Sequence, residues 1–199
     1  TQFCPGSFTV LNAGSGYSSY NWSTGATTQS INASIAGDYS VTVTNSFGCS
    51  GTSIPTPVSA YPDVIAFVSG NTNFCAGSST TLNAGAGYSG YNWSTGATTQ
   101  SINVNTAGTF TVTVTDGNGC TGIASANTII DPLPTATTSP SGTVTTCNAS
   151  QTLTANSGMV TYQWKLNGNN IVGATFDSYN ATVSGNYSVV VTNLFCSAT

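Results

Sequence analysis

The segment YNWSTGATTQSIN occupies residues 20–32 and returns unchanged at 91–103. Working outward from this pair, residues 3–49 recur as 74–120. Cys4 answers to Cys75, Trp22 to Trp93 and Cys49 to Cys120. A third, more diverged copy runs over 147–196. It keeps a leading Cys147, the run TLTA at 152–155, YQW at 162–164, GNYSVVVTN at 185–193 and a closing Cys196. Each copy therefore holds one Trp and two Cys. Self-similarity on this scale marks one supersecondary unit used repeatedly.

Within a copy every signal is β. SVTVT at 40–44 and TVTVT at 111–115 alternate β-branched residues with period two, the mark of a half-buried strand. Clusters of Gly, Asn and Ser at 13–16 and 45–48 punctuate the strands. No window combines helical spacing with caps. Short strands at regular intervals predict an all-β sandwich. Trp22, Trp93 and Trp164 are expected in its core. Tyr20 and Tyr91 precede two of them by two residues and share their side of the strand. Tyr39, Phe110 and Tyr187 are expected in the core as well.

Composition removes several classes of function. Only 3% of residues are charged, against about 25% in an ordinary domain. The acidic residues are Asp38, Asp63, Asp116, Asp131 and Asp177, and the single base is Lys165. There is no Glu, Arg or His. One lysine cannot neutralise a phosphate backbone, so nucleic acid is excluded as a partner. No apolar run approaches the ~20 residues that span a bilayer, so no direct membrane insertion is expected. Abundant aromatic and β-branched residues argue against disorder.

Each copy resembles an immunoglobulin-like domain. GSSTTLNA at 77–84 is similar to strand B, with Ala84 where that family places its first core cysteine. Trp93 is similar to the buried strand C tryptophan. GTFTV at 108–112 is similar to the start of strand F, with Val112 replacing the second cysteine, and Tyr39 and Tyr187 fit a tyrosine corner. Residues 45–48 look like a tight F–G hairpin. The combination of FCxGS, YNWSTGATTQSI and YSVTVTNxxGC resembles, more narrowly, the tandem repeats of large type IX-secreted surface adhesins of gliding Bacteroidota. The resemblance implies tandem immunoglobulin-like β-sandwich repeats over residues 1–60 (first strand missing), 61–131 and 132–199 (last strand truncated). Pro-rich stretches at 54–63 and 131–140 are expected as linkers, with strand A of the second repeat at 64–69. With no signal peptide at Thr1 and no counterpart of that strand in the first repeat, a piece of a longer array is expected.

Six regularly placed cysteines point to an oxidising compartment and disulfides. Zinc wants closely spaced pairs plus His, which this sequence lacks. Pairing within each repeat would join Cys4 to Cys49, Cys75 to Cys120 and Cys147 to Cys196. In the sandwich that the resemblance implies, however, Cys75 and Cys120 fall at opposite ends, on the order of 20 Å apart at about 3.3 Å per residue. A disulfide needs Cα atoms within about 7 Å. A staggered scheme, Cys4 to Cys120 and Cys75 to Cys196, is therefore favoured, and pairing within repeats remains the alternative. Cys49 and Cys147 would then pair outside this stretch, and the array would form a stiff, reduction-sensitive rod.

The inventory leaves little room for catalysis. A glycosidase needs two carboxylates about 5–10 Å apart, and the five Asp are scattered. A serine nucleophile has no histidine, and Lys165 follows a core tryptophan on its strand. No cofactor or metal is expected. Asp116 begins a turn, and calcium asks for six to eight oxygens, usually with several carboxylates. Tyr17 and Tyr88, in the predicted B–C loops, remain as candidates for stacking on a glycan or contacting an adjacent repeat. The expected role is structural or adhesive, in a secreted bacterial cell-surface adhesin or extracellular fibre. Its partners would be neighbouring repeats of the same or identical chains, and surface glycans. A carbohydrate-binding accessory module of a polysaccharide-degrading enzyme and a self-assembling filament subunit are the alternatives.

Overall fold

A computed structural model of the chain describes residues 1–145 and 149–199. The first repeat contributes β1 (Gln2–Phe3), β2 (Thr9–Asn12), β3 (Ser19–Trp22), β4 (Ser30–Ala33), β5 (Gly37–Tyr39), β6 (Val41–Thr44), β7 (Ser50–Thr52) and β8 (Thr56–Ala60). The second contributes β9 (Asn73–Cys75), β10 (Thr80–Asn83), β11 (Gly90–Trp93), β12 (Ser101–Val104), β13 (Gly108–Thr115) and β14 (Thr121–Asp131). The third contributes β15 (Thr138–Ser139), β16 (Gln151–Ala155), β17 (Thr161–Leu166), β18 (Asn169–Asn170), β19 (Ser178–Ala181), β20 (Tyr187–Thr192) and β21 (Ser197–Ala198). No helix occurs among the described residues. The chain divides into two compact units. One comprises Thr1–Val68, Ala84–Gln100 and Thr111–Ser125; the other comprises Ser69–Asn83, Ser101–Phe110 and Ala126–Thr199.

In the first unit, residues 1–60 build an immunoglobulin-like sandwich. β2 pairs antiparallel with β4, and β3, β6 and β7 form a second sheet. β8 lies between β1, to which it is parallel, and β5, to which it is antiparallel. Alternate residues turn inward, as the period-two pattern requires. Leu11, Trp22, Ala33 and Val41 meet Phe3 and Val58 in one cluster, with Tyr20 and Tyr39 packed against it. The Trp22 indole N–H is spent on the Thr28 carbonyl, 2.9 Å away, so burying the ring leaves no donor unsatisfied. The same unit holds β11, whose Trp93 faces Val112 across the ladder to β13. The Trp93 indole donates to Thr99, repeating the arrangement around Trp22.

In the second unit, β10 pairs with β12, and β9 runs parallel to the end of β14 from Ile129 to Asp131. Thr128 is buried there. Its hydroxyl is satisfied by the carbonyls of Thr106 and Gly108. The third repeat is the most complete sandwich, with sheets β15–β16–β19 and β18–β17–β20–β21. Trp164, fully buried, anchors a cluster with Leu153, Ala181, Val189 and Val191. Its indole donates to the Phe176 carbonyl.

Two expectations about the connections need correction. Residues 54–63 are not simply a linker, since Thr56–Ala60 is β8 and Val58 is only 4% exposed. Pro55 and Pro57 mislead because proline is read as a strand breaker, although it is tolerated where a strand gives up a ladder donor. The strand anticipated at 64–69 is reduced to one bridge, between Ser69 and Asn83.

Candidate functional site

The features that set this chain apart are its cysteines and the turns that present them. Disulfides join Cys4 to Cys120, with Cα atoms 5.3 Å apart, and Cys75 to Cys196, with Cα atoms 5.6 Å apart. Each links the leading cysteine of one repeat to the turn cysteine of the next. Cys120 and Cys196 are buried. Cys49, the equivalent turn residue of the first repeat, is free and exposed. The expectation placed on Cys147 lies outside the described residues.

One local device holds all three turn cysteines. The side-chain oxygen of Asn45 accepts from the N–H groups of Phe47 and Cys49. Asp116 does the same for Asn118 and Cys120, and Asn193 for Phe195 and Cys196. Asn and Asp suit this place because their short side chains mimic a backbone carbonyl and close the turn. Desolvation pushes the Asp116 carboxyl up. Hydrogen bonds from the N–H groups of Cys120, Asn118 and Gly119 and from the Asn118 amide outweigh that and hold it below its ordinary 3.8. Asp116 thus serves the turn. No cluster of three or more metal-ligating side chains exists among the described residues.

The positions that the family fills with a core disulfide are apolar here. Ala84 and Val112 are fully buried, as is Val189 in the third repeat. The three tryptophans are 5%, 2% and 0% exposed in chain order. Tyr39, Phe110 and Tyr187 are half-buried rather than core. For the two tyrosines the cause is visible. Each phenol must reach a backbone carbonyl four residues upstream, Ile35 for Tyr39 and Val183 for Tyr187, so its tip stays at the surface. These are tyrosine corners.

Tyr17 and Tyr88 occupy equivalent B–C loops. Each stacks edge-on against the strand tyrosine that follows it, Tyr20 or Tyr91, with centroids 6.0 and 5.9 Å apart. They differ in their hydroxyls. Tyr88 donates to the Ile65 carbonyl at 2.7 Å, whereas Tyr17 is 43% exposed and has no hydroxyl partner among the described residues. A shallow groove on the first repeat is lined by Thr24, Thr28, Ser30, Asn32 and Ser34, with Tyr39 at its end.

Two-sheet sandwiches with a buried strand C tryptophan and a tyrosine corner define an all-β protein of immunoglobulin-like domains. No family model matches the chain, and no curated protein matches it. Among solved structures it is similar to Sidekick-1 immunoglobulin domains 1–4, at 14% identity and TM-score 0.30, over 99% of this chain and 70% of that one. It is similar to extracellular domains 3–5 of Drosophila OTK, at 12% identity and TM-score 0.37, over 100% and 91%. A third likeness is to Bacteroides ovatus SGBP-B, of a mixed-linkage glucan utilization locus, in complex with a mixed-linkage heptasaccharide. There the identity is 13% and the TM-score 0.24, over 98% of this chain and 55% of that one. With every TM-score below 0.5, none of these likenesses bears on what the chain does.

Proposed function

We propose that the chain is a structural and adhesive repeat segment of a secreted bacterial cell-surface adhesin or extracellular fibre, of the kind that gliding Bacteroidota export through the type IX route. The observation that carries the reading is the pair of disulfides joining successive repeats, Cys4 to Cys120 and Cys75 to Cys196. A chain that commits its cysteines to the joints gains resistance to extension rather than chemistry. Such bonds persist in an oxidising, extracellular setting. The nearly uncharged surface supports the same reading, since exposed Thr, Ser and Asn keep their hydration whatever the salt. Electron microscopy of the native material with and without reductant tests it. Long regular assemblies that loosen on reduction support a bridged array. Short isolated particles indifferent to reductant would oppose it.

The hydroxyl- and amide-lined groove beside Tyr39, on the same repeat as exposed Tyr17, favours glycan binding as a second reading. Binding to a glycan array that disappears in Tyr17→Ala would favour it. Binding to no glycan would remove it.

A further inference from the structure

The second repeat keeps a segment docked on the outer edge of its strand B equivalent, and the first repeat carries the same receptor with nothing in it. In the second repeat the segment is IAFVSG, residues 65–70. Three contacts hold it. The Ile65 carbonyl accepts the Tyr88 hydroxyl at 2.7 Å. The Phe67 ring lies over Gly85, where any side chain would collide with it. Ser69 exchanges two main-chain hydrogen bonds with Asn83, both 2.8 Å. Gly70 then passes so close to the Thr81 carbonyl that a Cβ there would overlap it. The third repeat fills the corresponding edge too, with β15 laid along β16 from Thr138 to Ser139.

In the first repeat the counterparts of Asn83, Gly85 and Tyr88 are Asn12, Gly14 and Tyr17. The Ala13 N–H donates to Gln29 across the ladder to β4, so the neighbouring Asn12 turns its own N–H and C=O away from β4. No strand pairs with that side of β2 among the described residues. The space over Gly14 is empty for 4 Å, although its backbone holds the same conformation as Gly85, with φ of 79° at both. The Tyr17 ring is already in the Tyr88 pose, edge-on to Tyr20, and its hydroxyl is unclaimed.

We propose that this edge, from Asn12 through Gly14 to Tyr17, is a strand-acceptor site. It takes an extended, uncharged segment of the pattern aliphatic-x-aromatic-x-Ser-Gly, contributed by another repeat module. Main-chain pairing at Asn12 supplies affinity and register, as in other strand additions to a sheet edge. The ring over Gly14 and the carbonyl that meets the Tyr17 hydroxyl supply selectivity. The Gly after Ser is required because the chain must pass the Val10 carbonyl as closely as Gly70 passes Thr81. The inference stands on the comparison among repeats and does not depend on the adhesive reading.

The test uses the whole chain and a capped peptide of residues 63–71, DVIAFVSGN. Hydrogen exchange at single-residue resolution is followed as the peptide is added. The expected result is saturable binding with slowed exchange at the Asn12 amide. Methylating the Ser69 nitrogen of the peptide, or replacing its Phe67 by Ala, lowers affinity at least about tenfold, the scale of one lost hydrogen bond or buried ring. In the protein, Tyr17→Phe weakens binding and leaves the fold intact. No saturable binding overturns the proposal. So does protection at Asn83 without protection at Asn12, which means exchange with the resident segment. Binding indifferent to N-methylation also overturns it, since that is apolar adhesion without strand pairing.

Discussion

Replacing Cys75 and Cys196 together by alanine tests how much of the stability of the third repeat depends on its bond to the second. The bridge closes a sequence separation of 121 residues. In the chain-entropy account, a loop of that length restricts the unfolded chain by about 5 kcal/mol at 25 °C. Alanine adds little cost in the folded state, because the turn around position 196 is closed by Asn193 accepting from main-chain N–H groups, which alanine retains. In guanidinium chloride, with a slope of about 4 kcal/mol per molar for a chain of this size, the loss moves the midpoint down by about 1 M. The transition is followed by the fluorescence of Trp164, with Trp22 and Trp93 replaced by Phe in both proteins compared. Cys75→Ala alone gives nearly the same shift, since either change opens the bridge. Cys49→Ser leaves the midpoint where it was, because that thiol is exposed and unpaired. A shift of the double variant below about 0.3 M would refute the reasoning, because entropy of that loop length cannot be so small unless the unfolded chain is already closed there.

Native protein treated with a maleimide takes up label at Cys49 and at none of Cys4, Cys75, Cys120 or Cys196 until a reductant is added, as peptide mapping will read. Trp22→Ala destabilises the first repeat by about 3–5 kcal/mol, the usual cost of removing a buried aromatic ring, seen in denaturant unfolding. Tyr39→Phe and Tyr187→Phe each cost about 1 kcal/mol through loss of the corner hydrogen bond, without loss of fold by circular dichroism. The Asp116 carboxyl is held below its ordinary 3.8 in the folded chain. Its contribution is complete above the unfolded value and is lost as pH falls through the lower, folded value. Exchange of the Cys120 amide therefore accelerates in that acid window relative to Cys196, and Asp116→Asn removes the difference.

The repeat, the β architecture and the tryptophan core were legible because each rests on a local pattern. Period-two alternation selects a face, and a tryptophan in such a strand has nowhere else to go. The turn cysteines were half legible. Asn45, Asp116 and Asn193 each stand three or four residues before a cysteine, a spacing that suits a side-chain-closed turn, yet only Asp116 invites attention as a charged residue. What escaped was decided by partners distant in sequence. β8 reads as a linker because Pro55 and Pro57 dominate it, and only the placement of Val58 beside Phe3 and Val41 makes it a strand. Residues 64–69 read as a strand, but Tyr88 and Gly85 hold them by a hydroxyl and a ring contact instead of a ladder. Nor could sequence distinguish Tyr17 from Tyr88, since their difference lies in what approaches them.

The two bridges overlap along the chain, one spanning positions 4 to 120 and the other 75 to 196. Any single backbone cut between Cys4 and Cys196 falls inside at least one closed ring, so one protease nick leaves every fragment covalently attached. Tension applied at the two termini follows the shortest bonded route. It crosses from Cys4 to Cys120, returns along the backbone to Cys75, and crosses again to Cys196. Only residues 75–120 bear load as stretched polypeptide, and the first and third repeats hang beside the route as slack loops. At about 3.5 Å per residue the molecule cannot be drawn out much beyond roughly 190 Å, whereas the reduced chain reaches about 700 Å. Oxidation thus sets a hard limit on extension, and the second repeat is the tether that sets it.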